Sequence, residues 1–470
     1  MILSILIGLA PRADASLLEV APTTIDATGS TDVTEKLQAF IDRTPDGSTI
    51  SFPAGARYRV DGSLLIEARK GLTFEGNGAE FFATTEGDRE RRHWWIRNSD
   101  GITIRDVVIH GANPNAGMGD AAYRADREAQ HGFDFAGTKN ALLERVTVTD
   151  VYGDFVYIGL AKAGWSKSVT VRDSTFERNG RQGISITAGE DIRIEHNYIS
   201  QVRRSTFDIE PNSPDWGARR VTISDNDIGP GRLNFLAGHG SAGLVDDIVV
   251  IGNRLKGKTM NVSLKAPTAR RRSDFSLIGN VSDASFGSSI AAVTIEGFDG
   301  VTIHDNVLPL AAGRDMTAVA FKATCDTSVA GNQFVNAARD VATDDYKCTK
   351  ATVPTTTMAA SATTRAAAAG PSPSTTTRRA STGPTVPSAR VTAGGNDSTE
   401  APSGSSAGRE DPGGHEREDE SGQALPNDDG RLVDPPRVGS TGAGDNAIWS
   451  LVAGALISLA VLIPLSRRRR

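Results

Sequence analysis

Apolar and polar residues alternate along most of the first three quarters of the chain, in short runs separated by turn residues. One phrase returns six times: IRIEHNYI, VTISDNDI, IVVIGNRL, FSLIGNVS, VTIHDNVL and TSVAGNQF. Its asparagines, Asn197, Asn226, Asn253, Asn280, Asn306 and Asn332, are separated by 29, 27, 27, 26 and 26 residues. Earlier relatives are ITIRDVVI around Asp106 and VTVRDSTF around Asp173. Alternation with a period of two predicts strands rather than helices. A unit of this size with no helical segment excludes ankyrin, TPR and βαβ designs, and a propeller blade needs about 40–50 residues. The period fits one coil of a parallel sheet, each coil stacked on the last at about 4.8 Å. The expected fold class is therefore all-β, a single-stranded parallel β-helix. Asparagine is expected at the corner of each coil, in the left-handed conformation it tolerates, with its amide bonded to the next amide along the stack.

One helix is expected before the coils, over residues 34–42, where Leu37, Phe40 and Ile41 share a face. A solenoid must cover its open apolar end, and a short amphipathic helix would do so. The phrase GSTISFPAG (47–55) and Tyr58-Arg59-Val60 follow. The helix, the TISFPAGARYRV phrase and the repeated strand-Asn-strand units together resemble the pectate-lyase-like, right-handed β-helix superfamily, over about residues 30–348. That resemblance implies a right-handed coil and a polysaccharide or surface glycan as partner. It does not choose a reaction, because the superfamily holds polysaccharide lyases, glycoside hydrolases, uronate epimerases, phage tailspikes and non-catalytic surface proteins.

The strand preceding each asparagine unit forms a second ladder: HGFDF (131–135), FVYIG, GISIT, TFDIE, NFLAG, NVSLK, VTIEG and VAFKA. Placing apolar residues inward fixes the register, with Phe133, Val156, Ile184, Phe207 and Val262 inside. The outward column then reads Asp134, Tyr157, Ser185, Asp208, Asn234 and Ser263, beside a second column of Glu210, Lys265, Glu296 and Lys322. Arg181, Gln182, Arg203 and Arg204 lie in the turns leading in. A plain solenoid surface would show Thr, Ser, Lys and Asn, whereas this one gathers Tyr, His, Arg and carboxylates.

Two chemistries fit. Uronate β-elimination or C5-epimerisation needs a base, a proton donor and a cation for the substrate carboxylate. Tyr157 or His131 would be the base, Arg181 would hold the carboxylate, and Asp134 would orient His131. HGFDF is loosely similar to the Tyr-Gly-Phe-Asp-Pro-His strand of mannuronan epimerases, although here the His precedes the Asp and no Pro-His follows. Glycoside hydrolysis needs two carboxylates, and Asp134 with Asp154, or Asp208 with Glu210, would supply them. Gly238-His239-Gly240 is similar to the Gly-His-Gly of polygalacturonases, whose Asn-Thr-Asp and Asp-Asp motifs are absent. Arg204, Lys265 and Trp216 are expected to contact substrate, and Trp94, Trp95 and Trp165 are further stacking candidates. The alternative class is a non-catalytic adhesin or glycan-binding module, in which the acidic residues only solvate a face. Calcium is the one metal that the resemblance raises, and no ligand cluster of diagnostic spacing supports it, so no metal site is assigned.

The two ends change the picture. Residues 1–15 carry an apolar run too short to span a bilayer, then a small-x-small pattern at Ala13-Asp14-Ala15, which reads as a signal peptide. Residues 16–348 form the expected β-helix domain. Residues 349–446, rich in Thr, Ser, Pro and Ala, lack the apolar content to fold and read as a disordered stalk, glycosylated or bare. Residues 447–466 are uncharged, long enough to span a membrane, and are followed by four arginines, 467–470, that would stay in the cytoplasm. This predicts a single-pass cell-surface protein with the β-helix outside. The net charge of −6 gives no electrostatic case for nucleic acid. In an exported chain the only two cysteines, Cys325 and Cys348, would close a disulfide worth about 3 kcal/mol, against the alternative of two free thiols.

Overall fold

The computed structural model describes residues 17–348, apart from 240, 241, 268, 269 and 289. The signal peptide, stalk, membrane span and basic tail expected from sequence lie outside these residues. Among the described residues no helix is long and apolar enough to cross a membrane.

The strands wind into coils that pair in parallel, each strand with its counterpart one coil away. A representative coil runs through Ile184–Ile186 on a first face, Ala188–Glu195 on a second and Tyr198–Ser200 on a third. The next repeats this with Phe207–Ile209, Gly217–Ser224 and Asp227–Ile228. The inward residues of the first face form continuous files: Phe133 pairs with Val156, Val156 with Ile184, Ile184 with Phe207 and Phe207 with Leu236. All five are essentially inaccessible to solvent. Each contributes about 1.5–3 kcal/mol by leaving water. Toward the first coils the interior turns aromatic, with Phe52, Phe74 and Phe81 all packed edge-on against the buried Trp94.

The helix forms as expected, over Thr34–Arg43, and buries Leu37, Phe40 and Ile41. It also blunts an edge. The Gln38 side chain both donates to the Leu65 carbonyl and accepts from the Leu65 amide, each at 2.8 Å. Leu64–Glu67 is the first strand of the first face, so one glutamine stands in for the missing neighbour and covers part of an otherwise open ladder.

The asparagine ladder is present, but its conformation departs from the expectation. The left-handed position is taken by the residue before each asparagine: His196, Asp225, Gly252, Gly279, Asp305 and Gly331, with φ between 54° and 69°. The reason is geometric. The preceding residue turns the corner, which leaves the asparagine side chain pointing inward along the stack. From Asn226 onward each Oδ1 accepts both the backbone N–H and the side-chain Nδ2 of the asparagine one coil earlier, as Asn280 does from Asn253 at 3.0 and 2.9 Å. The ladder starts at Ser174, whose amide donates to Asn197 Oδ1 at 3.1 Å. Asp173 therefore belongs to the corner column and not to the asparagine column. At the far end Cys325 and Cys348 form the expected disulfide.

Asn280 is fully buried. Replacing it with alanine leaves the Asn253 amide without an acceptor, so Asn280→Ala is expected to cost about 3 kcal/mol in equilibrium urea unfolding. A loss well under 1 kcal/mol would show that the ladder contributes little.

Candidate functional site

The outward column of the first face runs Trp95, Asp134, Tyr157, Ser185, Asp208, Ala237, Ser263 and Thr294 on successive rungs. This corrects one expected member. Ala237, not Asn234, lies beside Asp208, because Leu236 rather than Phe235 pairs with Phe207. Phe235 is buried as well, so the run NFLAG offers two apolar registers and only the pairing decides between them. Lys265, Glu296 and Lys322 share a column as expected, and Lys265 reaches Glu296 at 3.2 Å. Lys265 lies two coils past Asp208.

His131, Asp134, Tyr157, Arg181, Asp208 and Glu210 come together across four consecutive rungs. Their partners differ from those expected. Asp134 does not orient His131; it accepts from Arg92 Nε at 3.0 Å, and its buried Oδ1 has no hydrogen-bond partner. His131 instead accepts the Asp154 backbone N–H on Nδ1 at 3.0 Å, which places its proton on Nε2. The imidazole stacks on the Tyr157 ring with centroids 4.7 Å apart. Burial, then Arg92 and Arg181, hold His131 well below the usual histidine range, so it is neutral. Burial pushes the Tyr157 hydroxyl well above its usual value, and that hydroxyl accepts from Thr187 Oγ1 at 3.0 Å.

Arg181 is the hub of the cluster. Its Nη1 donates to both oxygens of the buried Asp154, at 2.8 and 3.1 Å, and it lies 3.5 Å from Glu210 and 3.5 Å from Glu128. Burial works against its charge, but these carboxylates outweigh that and hold it firmly protonated. Burial raises the Asp154 carboxyl too, but Arg181 pulls it back and it accepts the Gln182 amide at 3.0 Å, so we assign the matching negative charge to it. Asp208 has the opposite fate. It is 5 % exposed and accepts a hydrogen bond from Gln182 Nε2 at 2.7 Å. Burial first, then the neighbouring charges of Glu210 and Asp154, hold its carboxyl well above the usual carboxylate range, against the pull of Arg181.

Sequence reasoning missed Arg92, Asp120, Tyr123 and Glu128. All four come from the segments 84–92 and 111–131, where the repeat is interrupted, so no periodic signal could assign them to a rung. The 111–131 loop leans over the turns that lead into the first face. Tyr123 lies under Arg204 at 5.4 Å, and Glu128 reaches Arg181. The tryptophans separate by environment. Trp94 is core, whereas Trp95 faces out between Arg92 and Arg97, at 4.5 and 4.6 Å. Trp165 donates to the Asp215 carbonyl at 2.8 Å, and Trp216 is half-buried in the turn beyond Glu210.

Two surface depressions lie elsewhere. One of about 210 Å³ is bordered by Asp191, Arg193, Arg220, Thr222 and Asp247, the other of about 390 Å³ by Ala83, Thr84, Gly111, Ala112, Asn113, Pro114 and Asp150. The six residues gathered on the first face border neither of them, so the candidate site rests on the chemistry of that cluster. Among the described residues no group of three or more His, Cys, Asp or Glu side chains is placed to hold a metal ion.

Residues 66–254 match the family described as "Right handed beta helix region". No curated protein matches the chain significantly in sequence. Among solved structures, the N-terminal fragment of bacteriophage Phi29 gene product 12 aligns with a TM-score of 0.52 at 14% identity, covering 68% of this chain and 59% of that one. The Yersinia enterocolitica family 28 exopolygalacturonase aligns with a TM-score of 0.50 at 13% identity, covering 71% and 79%. The Streptococcus pneumoniae surface protein and adhesin PfbA aligns with a TM-score of 0.47 at 12% identity, covering 70% and 100%. Identities this low speak for the fold alone, and the stacked parallel coils together with the two alignments at a TM-score of 0.50 and 0.52 make this chain a right-handed parallel β-helix.

Proposed function

We propose that this protein acts on a polysaccharide laid across the first face, and that the reaction is glycoside hydrolysis by Asp208 and Glu210. The observation that carries the reading is the pair itself. Two carboxyls stand two residues apart on one rung, roughly 6.5–7 Å between Cα atoms, within reach of a glycosidic bond flanked at about 5–9.5 Å. Burial and charge repulsion keep Asp208 protonated, which suits a general acid, while Arg181 neighbours Glu210. Asp208 would protonate the leaving oxygen, and Glu210 would activate water or attack the sugar.

The uronate lyase or epimerase reading draws less support. Its bases would be His131, whose Nδ1 is already occupied, and Tyr157, whose proton is held more tightly than usual. Arg181 is committed to protein carboxylates rather than open to a substrate's. A non-catalytic glycan-binding module is the second reading, favoured by the near-complete burial of Asp134, Ser185 and Asp208. For location we infer a cell-surface protein with the β-helix outside, from the sequence of the two ends; the Cys325–Cys348 disulfide suits that oxidising side.

Incubating the protein with a panel of neutral and acidic glycans should release new reducing ends without unsaturated uronate products. Asp208→Asn and Glu210→Gln should each lower that rate by about 10²–10⁴-fold, while Tyr157→Phe should lower it less than about tenfold. Full activity in Asp208→Asn would sink the assignment.

The same carboxyl predicts a pH signature. Its folded proton affinity is raised, so between about pH 4 and its folded value the native state binds more protons than the unfolded chain. Stability contributed by this group therefore falls as pH rises through that window. Asp208→Asn removes the penalty. It should raise the melting temperature at pH 7–8 and leave it unchanged near pH 3, and a variant less stable at pH 8 would contradict the buried-acid description.

A further inference from the structure

Three arginines lie together on the turns leading into the first face. An isolated parallel bridge between Val202 and Gly231 stacks Arg203 over Arg232. Arg204 follows Arg203, and its amide donates to the Arg181 carbonyl at 2.9 Å. Burial, then Arg232, and also Arg204, lower the proton affinity of Arg203, partly offset by Asp120. Three like charges so close need an anion, and among the described residues a single carboxylate, that of Asp120, forms ion pairs with them. Asp120, on the short turn Asp120–Ala122, contacts Arg203 at 3.0 Å and Arg232 at 2.5 Å, yet its side chain is 81% exposed. Arg204 sits over the Tyr123 ring, and among the described residues no carboxylate lies within ion-pair distance of it. The Nε of Arg203 is buried without a hydrogen-bond partner.

The arginines that themselves turn corners in the left-handed conformation are answered differently: Arg145 has Asp106 and Glu144, Arg178 has Asp150, and Arg220 has Asp191 and Glu190.

We propose that Arg203, Arg204 and Arg232 form a receptor for an oxyanion carried by a glycan, a carboxylate or a sulfate, and that Asp120 occupies it until the glycan arrives. Planar guanidiniums present paired donors that match such an oxyanion. Arg204 lies four residues upstream of Asp208 on the same coil and Arg232 one coil on, so a polymer crossing Asp208 passes them. The incoming oxyanion takes the contacts that Asp120 makes, and the 111–131 loop gives up its hold on the turns. This deepens the polysaccharide reading above and rests on it only for the identity of the polymer; the anion site stands on the arginines themselves. The net charge of −6 argues against a nucleic-acid ligand.

The test is calorimetric titration of the full chain with a galacturonate tetrasaccharide, a sulfated heparin tetrasaccharide, neutral maltotetraose and a short single-stranded DNA. At least one acidic oligosaccharide should bind more tightly than maltotetraose, and the tighter of the two acidic probes names the group. Asp120→Ala should strengthen that binding by about tenfold, and Arg232→Gln should weaken it by about tenfold, with maltotetraose unaffected. A merely structural role for Asp120 would give weaker or unchanged binding in Asp120→Ala, which overturns the proposal. So would equal binding of neutral and acidic oligosaccharides, or DNA binding as tight as the glycans. Since Asp120 is exposed, its alanine variant should fold even if an arginine variant does not. An inactive protein that still shows the Asp120→Ala gain retains the anion site and loses only the hydrolase reading.

Discussion

Each coil is held to the next by parallel backbone hydrogen bonds. On the first face these link Phe133, Val156, Ile184, Phe207, Leu236, Val262 and Val293 in one unbroken register. A slip of one residue would turn every inward side chain outward. The buried asparagine ladder locks the same register from the corner, because its amides meet only when successive coils align. Side chains some 23 to 31 residues apart in sequence thereby become neighbours at strand spacing. Asp134, Tyr157, Ser185 and Asp208 are a group for no other reason.

That constraint carries an electrostatic cost at the candidate site. Stacking outward polar residues at this spacing, beneath arginines and an overlying loop, strips them of water. Arg181 and Asp154 meet the cost by pairing. Asp208 accepts a hydrogen bond from the Gln182 amide and meets it by keeping its proton. A carboxyl that the fold prefers protonated, beside one that an arginine neighbours, is a division of labour that packing alone does not require.

The residues that shape the site without belonging to the repeat come from the two interruptions, 84–92 and 111–131. Arg92 reaches Asp134 from the first, and Glu128, Tyr123 and Asp120 reach Arg181, Arg204, Arg203 and Arg232 from the second. The solenoid supplies a regular wall of charges. The interruptions decide which of those charges are neutralised and how far the wall is open.

The period of the asparagine phrase, the two-residue alternation and the amphipathic run at Leu37, Phe40 and Ile41 were enough to derive the coil, its inward files and its capping helix from sequence. These features are local or strictly repeating, so chain order alone carries them. The residue that turns each corner was not legible, since His196 or Asp225 and the asparagine beside it tolerate the same conformation. The rung position of Ala237 was not legible either, since Phe235 and Leu236 are both apolar and only interstrand pairing chooses between them. Nor were the partners within the site. Asp134 takes Arg92 rather than His131 because a segment of irregular length folds back over the coils, and how far it reaches is a property of three-dimensional packing that no spacing in the sequence encodes; Arg181 takes Asp154 because regular stacking sets the two one coil apart in a buried turn.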